Sequence, residues 1–270
     1  LELYEDNNGY VNLNQDYMSI SRKELINYLD QRLTPERFRD YAPNGLQVEG
    51  CEQVSRIVTG VTASQALIDA AVAWDADAIL VHHGYFWKGE NPCITGMKQR
   101  RIKTLLQHDI NLLGYHLPLD AHPDIGNNAV LAKLLGITVT GGLEEGNPLS
   151  IGVTGKFDVP ISLQELGDRI SQVLNRAPML IAGGEHRITT IGLCTGGAQG
   201  YIDKAIDLGL DAYLSGEISE PTVHSARENG VHYIAAGHHA TERFGAKALG
   251  EELAQAFGIE QMFVDIDNPV

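Results

Sequence analysis

Two adjacent histidines close an apolar run, Val81-His82-His83-Gly84. Two later segments, His116-Leu117-Pro118-Leu119-Asp120 and Gly237-His238-His239-Ala240-Thr241-Glu242-Arg243, each place a carboxylate four residues after a histidine. Imidazole and carboxylate without thiolate suit Zn, Fe, Mn, Co or Ni. A carboxylate such as Glu242 or Asp120 can bridge two ions, and ions roughly 3.5–4 Å apart would share a nucleophilic water. The expectation is a two-metal site with His82, His83, Asp120, His238 and Glu242 as ligands. Each piece also has a plainer reading. Neighbours on a strand face opposite ways, so one histidine of the pair could be buried and the other exposed unless the chain turns at Gly84. Asp120 could cap the helix that starts near Asn127, and Glu242 could simply favour a helix dipole.

The elements decide whether these residues can meet. Ser21-Arg22-Lys23-Glu24 has capping-box spacing, and the helix it opens runs to about Arg32. Pro35 starts a second short helix, and Pro43-Asn44-Gly45 is a turn. Arg56 to Val61 reads as a buried strand, Ser64 caps a helix from Gln65 to Trp74, and Ala78 to Val81 reads as the next strand. A helix around Lys98 to Gln107 and a strand from Asn111 to Tyr115 continue the alternation. Such βαβ order implies parallel strands with helices outside, and ligands collect beyond the carboxyl ends of such strands. His82, His83, His116 and Asp120 would then share one rim.

The order repeats. Shifted by 134 positions, residues 57–84 meet residues 191–218 with Ile57, Ile68, Asp69, Ala71, Asp77, Ala78 and Leu80 finding identical partners. INLLGYH, ending at His116, corresponds to HYIAAGH, ending at His238. The fold class expected is α/β: two related halves with mostly parallel sheets, a pseudo-twofold relation and the metal site between them. The halves are placed at residues 18–145 and 146–270, with the last helix and strand free to pack back on the first half. A strand Ile151 to Phe157 and a helix Ser162 to Leu174 extend the second half.

Other residues compete for a role. In the second half Ser215-Gly216-Glu217 stands where His82 and His83 stand in the first, so Glu217 is a candidate base or an acceptor behind a ligand, or equally a surface residue. His224 neighbours the motifs and is a second catalytic candidate. The amides of Thr195-Gly196-Gly197-Ala198-Gln199-Gly200 could hold an anion at a helix start, although glycines are common in such turns.

Composition narrows the partners. The 270 residues carry a net charge of -15, which repels nucleic acid backbones. The densest basic stretch, Met97 to Lys103, reads as a solvated helix face or a loop steering an anionic substrate. No apolar run nears the roughly 20 residues of a membrane span, and no secretory pattern is present. Cys51, Cys93 and Cys194 lie far apart, which fits a reducing cytoplasm. Residues 1–17 are rich in Asn, Asp and Tyr, lack periodicity and do not begin with Met; they read as a vector-encoded or disordered segment outside the functional reading.

At this point a family comes into view. NGLQVEG at 44–50, GVTAS at 60–64, VHHGYFWKG at 81–89, HLPLDAH at 116–122, SGEISE at 215–220 and AAGHHATER at 235–243 closely resemble the YbgI-like proteins of the GTP cyclohydrolase 1 type 2 (Nif-three-like) family. The resemblance runs from about Met18 to Val270. It implies two similar α/β halves, a toroidal homohexamer, and two divalent transition-metal ions per chain facing an inner cavity. It carries the family's ligands onto His82, His83, Asp120, His238 and Glu242, and places His116 beside the site as a candidate sixth ligand. Two functions are consistent with it. One is a metal-dependent hydrolase acting on a small molecule, a nucleotide or a purine- or pterin-like ring. The other is a non-catalytic metal-binding ring that acts through protein partners.

Overall fold

The computed structural model describes residues 18–270; residues 1–17, and the reading of them as a vector-encoded or disordered segment, lie outside the described residues. The capping box forms as its spacing implies. Ser21 Oγ accepts the Glu24 amide, and the Glu24 carboxylate accepts the Ser21 amide. Helix α1 (Arg22–Leu33) then turns Leu25, Leu29 and Leu33 into the core at four-residue spacing.

Among the described residues the strands form two larger sheets and one small antiparallel pair, β1 (Ile20–Ser21) with β3 (Gln53–Val54). In the first sheet β13 (Glu260–Phe263), β4 (Arg56–Thr62), β5 (Ala78–His83) and β6 (Asn111–Gly114) run parallel in that spatial order. Strand β2 (Gly45–Val48) closes the edge antiparallel to β6. Ala78 and Leu80 pack towards α1 and α10 (Arg243–Phe257), whereas Ile79 and Val81 pack towards α2 (Gln65–Ala73) and α3 (Gly96–Gln107). Both faces of β5 are therefore buried. This is why its sequence is an unbroken apolar run rather than an alternating one.

In the second sheet β10 (Ile188–Cys194), β11 (Ala212–Ser215) and β12 (His232–Ala235) are the parallel core. Strands β8 (Val153–Ile161), β7 (Thr138–Gly142) and β9 (Met179–Ile181) add antiparallel neighbours, so parallel pairing is confined to its centre. Helices α5 (Asn127–Leu134) and α6 (Leu163–Leu174) contribute Leu131, Leu166 and Ile170 to one face. Helices α7 (Ile202–Asp207) and α8 (Glu220–Glu228) contribute Ile202, Ala205 and Ala226 to the other. Two short helices, α4 (Leu117–Ala121) and α9 (His238–Thr241), follow β6 and β12. The last helix and strand, α10 and β13, pack on the first sheet.

The repeat is a repeat of register. Ile57 faces Ala78 across β4 and β5, and Ile191 faces Ala212 across β10 and β11, each 134 positions on. An aspartate precedes the second strand of each unit. Asp77 Oδ2 accepts the Ser55 and Arg56 amides, and Asp211 Oδ2 accepts those of Thr189 and Thr190. These bonds satisfy backbone amides where β4 and β10 begin. Burial opposes the Asp211 charge, but the Thr190 and Thr189 bonds outweigh it and lower its pKa. Asp211→Ala is expected to cost about 1–3 kcal/mol near neutral pH. A group with a depressed folded pKa stabilises above its unfolded value and loses that contribution as the pH falls through the folded one. Thermal melts should thus show wild type and variant converging below about pH 4. A constant difference across that range would contradict the charged-acceptor role.

Candidate metal centre

The site is assembled where parallel strands end. His82 and His83 are the last residues of β5, and His116 follows β6 and precedes α4. Asp120 lies on α4, His238 opens α9, and Glu242 stands between α9 and α10. His83 is still paired with Thr62 in the ladder. The sequence reading asked for a turn at Gly84 before the adjacent rings could converge. Instead they approach to 4.6 Å between centroids, tilted by 41°, where the strand emerges from the sheet. Gly84 serves packing: a Cβ there would lie 2.0 Å from Gln47 Oε1, which accepts the Tyr85 amide.

Each of four imidazoles has Nδ1 engaged elsewhere. His82 Nδ1 lies 3.0 Å from the Tyr115 carbonyl, and His83 Nδ1 lies 3.3 Å from Thr62 Oγ1. His116 Nδ1 lies 2.7 Å from Asp40 Oδ1, and His238 Nδ1 lies 2.7 Å from Glu217 Oε1. A carbonyl or carboxylate partner makes Nδ1 the donor, so Nε2 carries the lone pair in the neutral ring. Holding a ring by its other nitrogen is how proteins aim imidazoles at metals.

The Nε2 atoms meet the carboxylates. His82 Nε2 is 3.4 Å from Asp120 Oδ1 and 3.5 Å from Glu242 Oε1. His83 and His238 Nε2 each lie 3.2 Å from Glu242 Oε2. Asp120 Oδ1 also accepts Asn127 Nδ2 at 2.9 Å. Three groups could each hold an ion: His82, His83 and His116; His83, His238 and Glu242; His82, Asp120 and Glu242. His82 Nε2 and Glu242 Oε2 are fully buried and have no hydrogen-bond partner. Such atoms cost free energy unless something satisfies them, and a cation between them would do so. The donors present therefore fit a divalent ion.

Electrostatics agree. Burial works against charging His82 and His238, yet the carboxylates outweigh it: Asp120 and Glu242 raise His82 to about 9, and Glu242 with Glu217 raises His238 to about 9. Burial drives His83 down to about 3. Glu242 stays well below the usual carboxylate range although burial opposes it, because His82 and His83 flank it. For Asp120 burial prevails and its pKa rises. The buried carboxylates thus draw positive charge inward, and an entering cation would displace protons from the imidazoles.

Other expectations fare differently. Glu217 stands at the site, but behind His238. His224 is exposed on α8, 3.0 Å from Glu220, and the structure does not bring it to the cluster. The Thr195–Gly200 turn lies against the cluster, but its first two amides are not available to an anion: the Thr195 amide donates to Asn128 Oδ1 and the Gly196 amide to Thr241 Oγ1. His239 turns away to Asp265 at 2.9 Å.

Asp40 was not found from the sequence. Its side chain is almost buried, and Oδ2 accepts Asn44 Nδ2 and the Leu117 amide while Oδ1 holds His116. Burial opposes its charge, but these bonds, His116 first, hold its pKa down to about 2. No spacing rule links it to a histidine 76 positions away. Asp40→Ala is expected to weaken ion binding about 10–100-fold, the usual cost of losing a residue that orients a ligand. Titration of metal-free protein with Mn or Zn reads this directly; unchanged affinity would show that His116 is not a ligand or needs no holding.

The cluster opens into a cavity of about 720 Å³, lined also by Tyr41, Trp87, Leu117, Ile151 and Tyr201. The sequence model of the family described as Duf34/NIF3 (NGG1p interacting factor 3) matches residues 20–269. A Pseudomonas aeruginosa protein named GTP cyclohydrolase 1 type 2 homolog is 59% identical over 252 residues, 93% of this chain and 100% of that protein. The solved structure of the protein ybgI, described as of unknown function, superposes with a TM-score of 0.89 at 52% identity, covering 93% of this chain and all (100%) of that one. A Thermus thermophilus structure gives 0.84 at 36% identity, with 93% and 100% covered.

Proposed function

The chain belongs to the Duf34/NIF3 family, and from that premise we propose that it is a dinuclear metal-binding protein working as a metal-dependent hydrolase. The observation that carries the proposal is the pair of buried, unpartnered atoms, His82 Nε2 and Glu242 Oε2, among imidazoles already held by their other nitrogens. We assign one ion to His83, His238 and Glu242 and the other to His82, Asp120 and Glu242, with His116 as a further donor beside His82 and His83. Zn, Fe, Mn, Co and Ni all suit these donors.

Divalent ions bound there would lower the pKa of water towards neutrality and polarise a scissile bond. The chain's own residues prepare that chemistry. Tyr115, Thr62, Asp40 and Glu217 fix ring orientation, so no reorganisation is needed during reaction. Val61, Leu117 and Ile151 present apolar walls that limit water around the substrate. Glu217 is read as a positioning residue for His238, and His224 takes no part. The substrate is read as a small molecule, a nucleotide or a purine- or pterin-like ring, following the name its relatives bear. The family resemblance also leads us to propose a homohexameric ring, checked by light scattering. A cytoplasmic setting is proposed with it; Cys51, Cys93 and Cys194 are all free, and among the described residues no helix is long and apolar enough to cross a membrane.

The test loads metal-free protein with Mn, Fe or Zn and screens nucleotides, pterins, phosphoesters and peptides, with His238→Ala as control. Turnover that needs metal and disappears in the variant supports the hydrolase. Activity that survives loss of His238 and its ion would sink the two-metal mechanism. Fewer than one ion per chain would sink the site. Bound ions without turnover on any of these substrates would favour a non-catalytic ring.

A further inference from the structure

The walls of the cavity are chemically lopsided. Three aromatic side chains line it, Tyr41, Trp87 and Tyr201, and among its described lining residues there is no Lys or Arg. Trp87 is brought there at a cost. Phe86, a bulky residue, takes a left-handed φ of 66° just before it. That turn sets the indole edge-on to His116, with centroids 5.0 Å apart, and 5.8 Å from His83. The indole N–H is already spent on the Gly84 carbonyl, so what Trp87 offers the cavity is aromatic surface. Tyr41 sits 6.5 Å from the His116 ring and stays 63% exposed. Its loop is tied to the Trp87 loop through the Lys88 amide and the Tyr41 carbonyl. Tyr201 joins them from the second half, and its phenol, raised to about 12 mainly by burial, also senses Tyr41.

Charge points the same way. Lys204 lies over the Tyr201 ring at 5.0 Å and is committed to Glu144 at 3.5 Å. The cavity floor carries Asp120 and Glu242 beside His83, His116 and His238, and the whole chain carries a net charge of -15. With the ring edge on the cluster, a phosphate tail would lie among described lining residues that include no Lys or Arg, in a chain of strong net negative charge. A flat ring without charge would meet stacking surface.

Resting on the proposed metal-dependent reading of the same site, we propose that the cavity is selective for an uncharged heteroaromatic ring, held by Tyr41, Trp87 and Tyr201 with one edge towards the histidine–carboxylate cluster, and that it discriminates against polyphosphate tails. The ring supplies recognition, and the polar cluster meets whichever bond is to be broken. The proposal separates a nucleoside or pterin from a nucleoside triphosphate, which the relatives' name does not.

The experiment follows Trp87 emission in a Trp74→Phe background, where Trp87 is the one tryptophan left, with calorimetry alongside. The probes are guanosine, adenosine, pterin and GTP, titrated into the full chain as purified and again after chelation, with metal content measured in each sample. After chelation at least one uncharged ring should quench Trp87, and GTP should bind at least about tenfold more weakly than guanosine. Tyr41→Ala and Tyr201→Ala should each weaken the ring by about fivefold or more, in line with stacking on aromatic side chains. Tyr41 is exposed enough that its loss should leave the melting curve unchanged. GTP binding as tightly as guanosine to the chelated protein, no binding of any uncharged probe, or indifference to both tyrosine variants would each overturn the proposal. Ring binding in a protein that takes up no metal would instead overturn the hydrolase reading and leave this one standing; metal uptake without ring binding would do the reverse.

Discussion

Glu242→Gln is expected to leave a folded chain that loses at least one of the two proposed ions, with affinity for the other down about a hundredfold or more. The expectation follows from where the two carboxylate oxygens point. Oε2 is 3.2 Å from the free nitrogens of both His83 and His238, while Oε1 is 3.5 Å from that of His82. Glu242 thus belongs to two of the three groups able to hold an ion. Glutamine keeps the volume, so the core around α10 need not repack. It removes the negative charge and replaces one acceptor oxygen with an amide that cannot ligate. Losing a residue that merely orients a ligand costs about 10–100-fold, and losing a shared ligand should cost more. Elemental analysis after dialysis, with a melting curve of the metal-free protein as a check on folding, reads the result. Wild-type metal content in a folded Glu242→Gln protein would remove Glu242 from the site and with it the proposed sharing of Glu242 by two ions.

The reason this cluster could be read from the sequence is specific. Strand β5 is apolar on both faces, so two histidines at its end stand out, and the register shared by Ile57–Ala78 and Ile191–Ala212 makes the second half comparable with the first. The corresponding strand ends then point to His116 and His238. What could not be read is what holds the rings. Asp40 reaches His116 from a loop between α1 and β2, and Thr62 reaches His83 across the ladder. These contacts are set by tertiary packing and leave no periodic trace. The antiparallel additions to the second sheet were only partly visible: β8 and α6 lie near their expected places, while β7, with Gly141 and Gly142, has little of a strand's usual composition. The anion-cradle reading of Thr195–Gly200 loses two of its amides, those of Thr195 and Gly196, to Asn128 and Thr241. Glycine can mean an exposed amide or a missing side chain, and a sequence does not distinguish them.

At Gly196 the missing side chain is what matters, and Gly196→Ala is expected to damage both stability and metal binding. Gly196 has a φ of 68°, in the left-handed region, and a Cβ built there would lie 2.0 Å from Glu242 Oε1 and 3.3 Å from His238 Nε2. A left-handed alanine alone costs about 1–2 kcal/mol. The steric conflict is worse, because the crowded atom belongs to a buried carboxylate with little room to move. Relief by moving the backbone is blocked as well: the Gly196 carbonyl accepts the Gly216 and Glu217 amides, and its amide donates to Thr241. Either Glu242 rotates away from the histidines or the turn between β10 and α7 opens. Both displace a proposed ligand, so ion affinity should fall at least about tenfold while the metal-free protein loses about 2 kcal/mol or more. Gly200→Ala is the internal control. Nothing lies within 4 Å of its Cβ position, so its melt and metal titration should match the wild type within about 0.5 kcal/mol. If Gly196→Ala were as silent as Gly200→Ala, the turn would be tolerant of side chains, and the close approach of Gly196 to Glu242 could not be what shapes the site. If Gly196→Ala lowered stability but kept both ions at wild-type affinity, the strain would be real and Glu242 would not be a ligand, a result that Glu242→Gln would have to confirm independently.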